Sequence, residues 1–364
     1  MDMSLYSSAL YVDMNIFNKN IQTLTGRHRR IIPVLKSDAY GLGLLPIASA
    51  LVQHSGIAML AVAQVLEGAA LRNGGIEQDI LVLGGTLPRQ WAPAAELGLT
   101  LTVTRPGMVT ELDQLGKPVK VHLKIETGLN RNGIRPGEEL SGVIEELKNS
   151  SYVNLTGTYS HFARAEEWDR VRCMEQKAEF DRALQQLSDA GIDAGLRHMG
   201  NSAAAEWLPE AEYDAVRIGR GLYMDAQDAP VGDIREVASW RASIVGLRQL
   251  PAGSRLGYGR GILLERDTRV AMVNVGYGDG LNHQVAAGGP ALVEGQTAHF
   301  LGCCMDQSFL DVGDIPCDVG CEVTLFGYDS QGNCLPSQEV ARLCNDEGCG
   351  LTAALGSRVA RIYL

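Results

Sequence analysis

From residue 30 onward, short apolar, β-branched runs alternate with longer stretches in which apolar residues recur at helical spacing. The runs are IIPVLK (31–36), IAMLAVA (57–63), DILVLGG (79–85), LTLTVT (99–104), VKVHLKIE (119–126), NLTGTYSH (154–161), LRHMGNS (196–202) and DAVRIG (214–219). Segments between them, such as PGMVTELDQLG and RCMEQKAEFDRALQQLSDAG, have helical apolar periodicity and end at glycine. Eight such βα units predict an α/β fold, a (β/α)8 TIM-type barrel over 9–231, in preference to an open sheet. A doubly wound sheet would want a GxGxxG turn after an early strand, and none is present. Beyond residue 232 the style changes to short alternating runs, among them ASWRASIVGLRQL, TRVAMVNVGYGDG and CEVTLFGY, broken by Pro-Ala-Gly, Gly-Gly and Asp-Ser-Gln-Gly. That pattern predicts an all-β domain over 232–364. The early run ALYVDM (9–14), within an N-terminal strand region 1–14, is a candidate to join this second domain or the junction.

Composition narrows the class. The chain has 364 residues, 45% hydrophobic and 21% charged, as in a soluble globular protein with ample core. A formal charge of -11 argues against nucleic acid or an anionic membrane as partner, but leaves room for a small anionic ligand bound by local donors. The most apolar stretch, IASALVQHSGIAMLAVAQVL, is interrupted by Gln53, His54 and Ser55, and MDMSLYSS lacks the features of a signal peptide. A cytoplasmic location is expected. Of eight cysteines, seven lie beyond residue 300, and neither Cys317/Cys321 nor Cys344/Cys349 has the spacing or histidine partners of a metal site. Reduced thiols and no metal are expected.

The chemistry of such a barrel sits at the carboxyl ends of its strands. Reading those tips gives Lys36, then Ala63 and Gly84, Lys124 and Glu126, His161, Asn201 and Ser202, and Arg217. Lys36 follows the apolar run IIPVL directly, and a lysine there is costly to bury unless something uses it. Tyr40, Ser202 and the backbone around Gly219 offer hydroxyls and glycine N–H groups for an anion cradle. In the second domain Tyr258 lies between two glycines, which let the backbone turn sharply and present the ring.

These residues carry a family resemblance. VLKSDAYGLG resembles the cofactor-lysine motif of the alanine racemase family, fold-type III pyridoxal-phosphate enzymes. VHLKIETGLNRNGI, GTYSHFARAEE, HMGNSAA, VRIGRGLY, LGYGRG, GYGDG and CCMDQ follow in the family's order, spanning nearly the whole chain. The resemblance implies interconversion of L- and D-alanine, a peptidoglycan precursor, by a two-base mechanism. Lys36 would hold pyridoxal 5'-phosphate covalently and serve the D-enantiomer, and Tyr258 would serve the L-enantiomer. Tyr40, Asn201, Ser202, Gly219, Arg220 and Ser357 would surround the cofactor, with His161 against its ring, Arg217 facing the ring nitrogen and Arg131 on its phenolic oxygen. Tyr258 of the family reaches the other subunit's site, and Tyr277, Met305 and Asp306 would cross with it toward the substrate. Activity would therefore require a homodimer. The family's counterpart of Lys124 is often N-carbamylated; the alternative is a neutral lysine of shifted pKa.

Several positions depart from the family. LGSRVARIYL places Ser357 where a tyrosine usually lines the site. Serine racemases of the vancomycin-resistance type share that small polar residue, so a serine or dual alanine/serine racemase is the alternative. His283 and Gly302 stand where arginines are common, and Arg220 where an aliphatic residue is usual. A fold-III decarboxylase is disfavoured because it would pair the ring nitrogen with glutamate, where Arg217 stands. A non-catalytic cofactor carrier is disfavoured because that family is barrel-only.

Overall fold

A computed structural model describes residues 6–224, 234–259, 261–346 and 348–364. The chain divides into two compact units, one comprising Asn18–Ala39 and Leu44–Ile234, the other Met1–Phe17, Tyr40–Gly43 and Arg235–Leu364. The predicted boundary at 231/232 lies outside the described residues.

After β1 (Ser8–Val12), eight strands build the first unit: β2 (Ile31–Pro33), β3 (Leu60–Val62), β4 (Ile80–Val82), β5 (Leu101–Val103), β6 (Val119–Lys124), β7 (Val153–Tyr159), β8 (Leu196–His198) and β9 (Val216–Ile218). Each falls in or overlaps one of the eight apolar runs. All ladders are parallel, and β2 pairs with β9, so the last strand returns to the first. Single bridges link β2 to β3, β4 to Thr100 and β8 to Ala215, which closes the barrel. The three-residue strands are buried throughout apart from the first two residues of β8, as expected where helices cover the sheet. The helix Arg170–Asp189 shows how the covering works. Asp169 caps it by accepting from the Arg172 N–H at 3.0 Å, and Cys173, Gln176, Phe180, Ala183 and Leu187 form its buried stripe.

The regular strands stop earlier than the apolar runs. β2 ends at Pro33 and β7 at Tyr159, so Lys36 and His161 stand in the segments that follow. Ser37, Asp38, Ala39 and Tyr40 then adopt left-handed backbone, with φ of 55°, 57°, 53° and 58°. The run predicted as one strand up to Lys36 is therefore regular only to Pro33, and a left-handed turn follows it directly.

The second unit is β-rich. β1 pairs antiparallel with β10 (Ala238–Leu250) and parallel with the strand Ala360–Tyr363. β10 is 13 residues long and serves two neighbours, pairing with Glu322–Tyr328 through its first half and with Thr268–Val273 through its second. A register shift between Ile244 and Gly246 bends it. Trp240, Val270, Phe300, Leu310, Val323 and Phe326 are buried in this unit.

Candidate active site

At the mouth of the barrel, Arg217 at the centre of β9 is 3% exposed and spends its donors on five acceptors. Nη1 donates to His198 Nδ1 at 2.8 Å and to the His198 carbonyl at 3.1 Å. Nη2 donates to the Ser160 carbonyl at 2.8 Å, the Met199 carbonyl at 3.0 Å and His161 Nδ1 at 2.8 Å. Burial draws its pKa down to about 10, which leaves it charged at neutral pH. A guanidinium can only donate, so both imidazoles must accept at Nδ1. His161 is held neutral: burial, then Arg217, Arg131, Lys124 and Lys36 together hold its pKa well below the usual range. Those four cations therefore all act on one imidazole, and the barrel gathers Lys36, Lys124, Arg131, His161 and Arg217 around one point.

Lys124, the last residue of β6, is buried, and its Nζ donates to Asn132 Oδ1. Burial first, then Arg131 and Arg217, lowers its pKa to about 8. Arg131 and Lys36 are exposed. Ser202 Oγ accepts from the N–H groups of Gly219 at 3.0 Å and Gly221 at 3.4 Å, so a hydroxyl and two backbone donors converge. Arg220 opens the short turn Arg220–Leu222 beside them. Asn201, and not Ser202, caps the helix Ser202–Trp207: its Oδ1 accepts from Ala204 N–H at 3.0 Å and its Nδ2 donates to Glu166 at 2.7 Å. Both ends of that amide are thus occupied by protein groups, and Asn201 fixes where Ser202 begins.

In the second unit, Tyr258 rides the tip of a hairpin in which Arg255 pairs with Leu263 and Leu256 with Ile262. Its glycine neighbours have φ of 80° and 62°, conformations that cost other residues far more. Tyr258 is 87% exposed, Met305 57% and Tyr277 42%; Asp306 is exposed as well. Tyr277 and Met305 lie together, since the Gly278 N–H donates to the Met305 carbonyl at 2.8 Å and the Tyr277 N–H to the Cys304 carbonyl at 3.1 Å. His283 stacks near Tyr277, with centroids 4.9 Å apart, and its Nδ1 is 3.8 Å from Cys303 Sγ. Gly302 is buried, where a side chain would strike Ile262. The exposed Ser357 belongs to the turn fixed by Asp279, whose backbone carbonyl accepts from Gly356 and whose carboxylate pairs with Arg358 at 3.0 Å.

Several supporting residues escaped sequence reasoning. Glu67 accepts from the N–H of Ser37 at 2.6 Å, and from those of Ala63 and Gln64 at 2.8 and 2.9 Å, which anchors the turn behind Lys36. His198 Nε2 lies 3.0 Å from His122 Nδ1, and Tyr159 stacks on His198 at 4.8 Å. The signal for both histidines was a polar residue inside a buried strand; nothing local marked Glu67.

The residues present fit a cofactor carrying a phosphate and an aldehyde. The N–H groups of Gly219 and Gly221 converge on one small hydroxyl, Lys36 stands in the segment just after β2, and a donor-only cation closes the base of the mouth. A (β/α)8 barrel with these groups, on a chain that continues into a β-rich unit, defines a fold-type III pyridoxal-phosphate enzyme.

Comparison with known proteins gives the family. Residues 12–227 match the model of the alanine racemase N-terminal domain, and residues 237–363 that of its C-terminal domain. The chain is 34% identical to the alanine racemase of Desulfovibrio desulfuricans, with 97% of each chain covered. It is also 34% identical to that of Halothermothrix orenii over 95% of this chain and 93% of that one. Among solved structures, alanine racemase from Streptomyces coelicolor superposes with a TM-score of 0.91 at 28% identity, covering 98% of each chain. The Bacillus anthracis enzyme with bound L-Ala-P gives 0.90 at 28% identity, covering 98% of this chain and 95% of that one. The chain belongs to the alanine racemase family, and is a pyridoxal-phosphate-dependent racemase.

Proposed function

We propose that this protein interconverts L- and D-alanine by a two-base mechanism. Lys36, just beyond the end of β2, would hold the cofactor covalently. Tyr40, Ser202, Ser357, Arg220 and the backbone N–H of Gly219 would hold its phosphate, with Asn201 fixing Ser202 in place, while His161 would lie against its ring and Arg131 would meet its phenolic oxygen. Bound pyridoxal phosphate supplies the electron sink that acidifies the substrate's α-C–H. Lys36 Nζ takes or returns that proton on one face, and Tyr258 Oη does so on the other. The observation that carries this reading is Arg217. Its Nη groups are committed to those five acceptors, so the Nε–H would face the ring nitrogen, and a guanidinium that stays charged would not surrender a proton there, which favours return of the proton to the same carbon.

The exposure of Tyr258, Tyr277, Met305 and Asp306 supports the second half of the proposal. Large exposed side chains grouped on one unit mark an interaction surface. In a homodimer these residues complete the partner's site, Met305 through its backbone N–H to the substrate carboxylate, with Arg131, Tyr277 and Asp306 lining it. Lys124, with its pKa lowered to about 8, has enough neutral amine to take up CO2 as a carbamate, which would replace repulsion toward Arg131 with attraction. Among the described residues no helix is long and apolar enough to cross a membrane, which agrees with work in the cytoplasm, where the D-amino acid would feed peptidoglycan synthesis.

Ser357 favours a second substrate. Its small, exposed side chain leaves the space a tyrosine ring would fill, and apolar pockets discriminate by only about 1–3 kcal/mol per methylene. The test is chiral turnover of L-alanine and L-serine side by side on protein loaded with pyridoxal phosphate. Alanine turnover supports the proposal, and comparable serine turnover extends it. Turnover of neither, despite a borohydride-reducible link at Lys36, rejects it.

A further inference from the structure

The left-handed run Ser37–Tyr40 needs support, because each L-residue in that conformation costs roughly 1–2 kcal/mol. Within the barrel unit, Glu67 holds the Ser37 N–H at 2.6 Å, and Asp38 Oδ1 accepts from the Leu44 N–H at 2.7 Å. The other end of the turn, Tyr40–Gly43, is held within the β-rich unit by the C-terminal strand. Arg361 Nε donates to the Gly41 carbonyl at 2.9 Å, and the Tyr363 hydroxyl donates to the Leu42 carbonyl at 2.8 Å. Gly41 has φ of 83°, and a Cβ there would lie 2.0 Å from the Thr352 carbonyl oxygen, so the loop fits closely against this segment.

The same guanidinium reaches a second loop. Arg361 Nη1 donates to the carbonyls of Gly356 at 2.8 Å and Val359 at 2.6 Å, and Nη2 to that of Leu355 at 3.0 Å. One planar fork therefore fixes the residue after Tyr40 and the residue before Ser357. We infer that Arg361 is a positioning residue for the phosphate end of the cofactor, holding the Tyr40 and Ser357 loops at a set separation. This rests on the assignment of Tyr40 and Ser357 to the phosphate given above. Lysine keeps the charge but cannot span four carbonyls, since its donors radiate from one nitrogen.

The experiment compares binding of pyridoxal phosphate and of pyridoxal, which lacks the phosphate, to the full chain freed of cofactor. Arg361→Lys is expected to weaken pyridoxal phosphate about tenfold, the size of one or two charge-assisted hydrogen bonds. Pyridoxal affinity should hold. Tyr363→Phe, which removes one hydrogen bond to the same loop, should shift the ratio in the same direction by less, and it decides the matter if Arg361→Lys does not fold. Equal weakening of both ligands would reduce Arg361 to a general structural residue, and no weakening would overturn the inference outright. Tyr40→Phe separates the two levels. If it narrows the gap between the ligands while the Arg361 and Tyr363 variants do not, the inference alone fails; if it leaves the gap intact, the assignment of Tyr40 fails and takes the inference with it.

Discussion

Three of the barrel's candidate groups and three of the β-rich unit's are carried in opposite ways. In the barrel, Arg217 is buried with five acceptors, Lys124 is buried against Asn132, and His161 is fixed by Arg217. In the β-rich unit, Tyr258, Met305 and Tyr277 are set out on turns with 87%, 57% and 42% of their surface exposed. Arg217, Lys124 and His161 are part of what holds their unit together, whereas the β-unit groups, like the barrel's own Lys36 and Arg131, are displayed. The contrast teaches that burial alone is a poor guide to function here: among the described residues, the group proposed to move a proton on the L-side is the most exposed of the large apolar side chains.

The largest effect that could break this comparison comes from mixing variants. Lys36→Ala and Tyr258→Phe should each lose about 10²–10⁴-fold in racemase activity, the usual worth of a proton-transfer group. If sites are shared across a two-fold dimer, co-refolding the two inactive proteins should restore about a quarter of wild-type activity, because heterodimers keep one intact site. Recovery of nothing on mixing would mean that both groups serve the same chain. Stability then separates the units. Arg217→Met leaves buried acceptors without donors and should cost about 3–5 kcal/mol in denaturant unfolding. Tyr258→Phe should change the same measurement by no more than about 0.5 kcal/mol.

The pH response should run in opposite directions. Glu236 in the β-rich unit accepts from the Ser337 N–H at 3.2 Å, and burial pushes its carboxyl from 4.5 up to about 7. Folding therefore binds a proton between those values, so that its contribution is complete below pH 4.5 and lost as pH rises through 7. The shift corresponds to about 3 kcal/mol. Lys124 in the barrel is lowered from 10.5 to about 8, so the unfolded chain binds more protons in that window. Its contribution is present above 10.5 and lost as pH falls through 8. Unfolding followed separately in the two units should show the β-rich unit weakening from pH 4.5 to 7 and the barrel strengthening from 8 to 10.5, and Glu236→Gln should flatten the first trend. The smallest effect is on specificity: Ser357→Tyr should reduce serine turnover relative to alanine by about tenfold, read as a ratio of kcat/KM.

The barrel was legible because most strands lie in short apolar runs and helices such as Val65–Asn73 and Arg170–Asp189 stop at or just before a glycine, both local signals. Lys36 could be picked out because charge at the end of an apolar run has no structural excuse. The turn behind it could not, since Ser37, Asp38, Ala39 and Tyr40 contain no glycine to announce left-handed backbone; Glu67, 30 residues on, helps to hold it there. That Asn201 rather than Ser202 caps its helix was not legible either, as Asn and Ser are equally good caps and only the Ala204 contact decides between them. Arg361 was invisible as more than a strand residue, because its partners are backbone carbonyls, which every sequence supplies.

One consequence of the Arg217 cluster concerns the far end of the barrel. Because Arg217 donates to His198 Nδ1, the proton of that neutral imidazole must sit on Nε2, where it points to His122 Nδ1. Burial holds both rings neutral, with the pKa of His122 pulled down to about 3 and that of His198 well below its usual value. Every hydrogen bond in the string is thus oriented outward from the guanidinium. A proton arriving at His122 finds the next nitrogen already occupied and cannot hop inward. The string behaves as an insulator against inward hopping, which under the proposed mechanism leaves the α-proton to Lys36 and Tyr258.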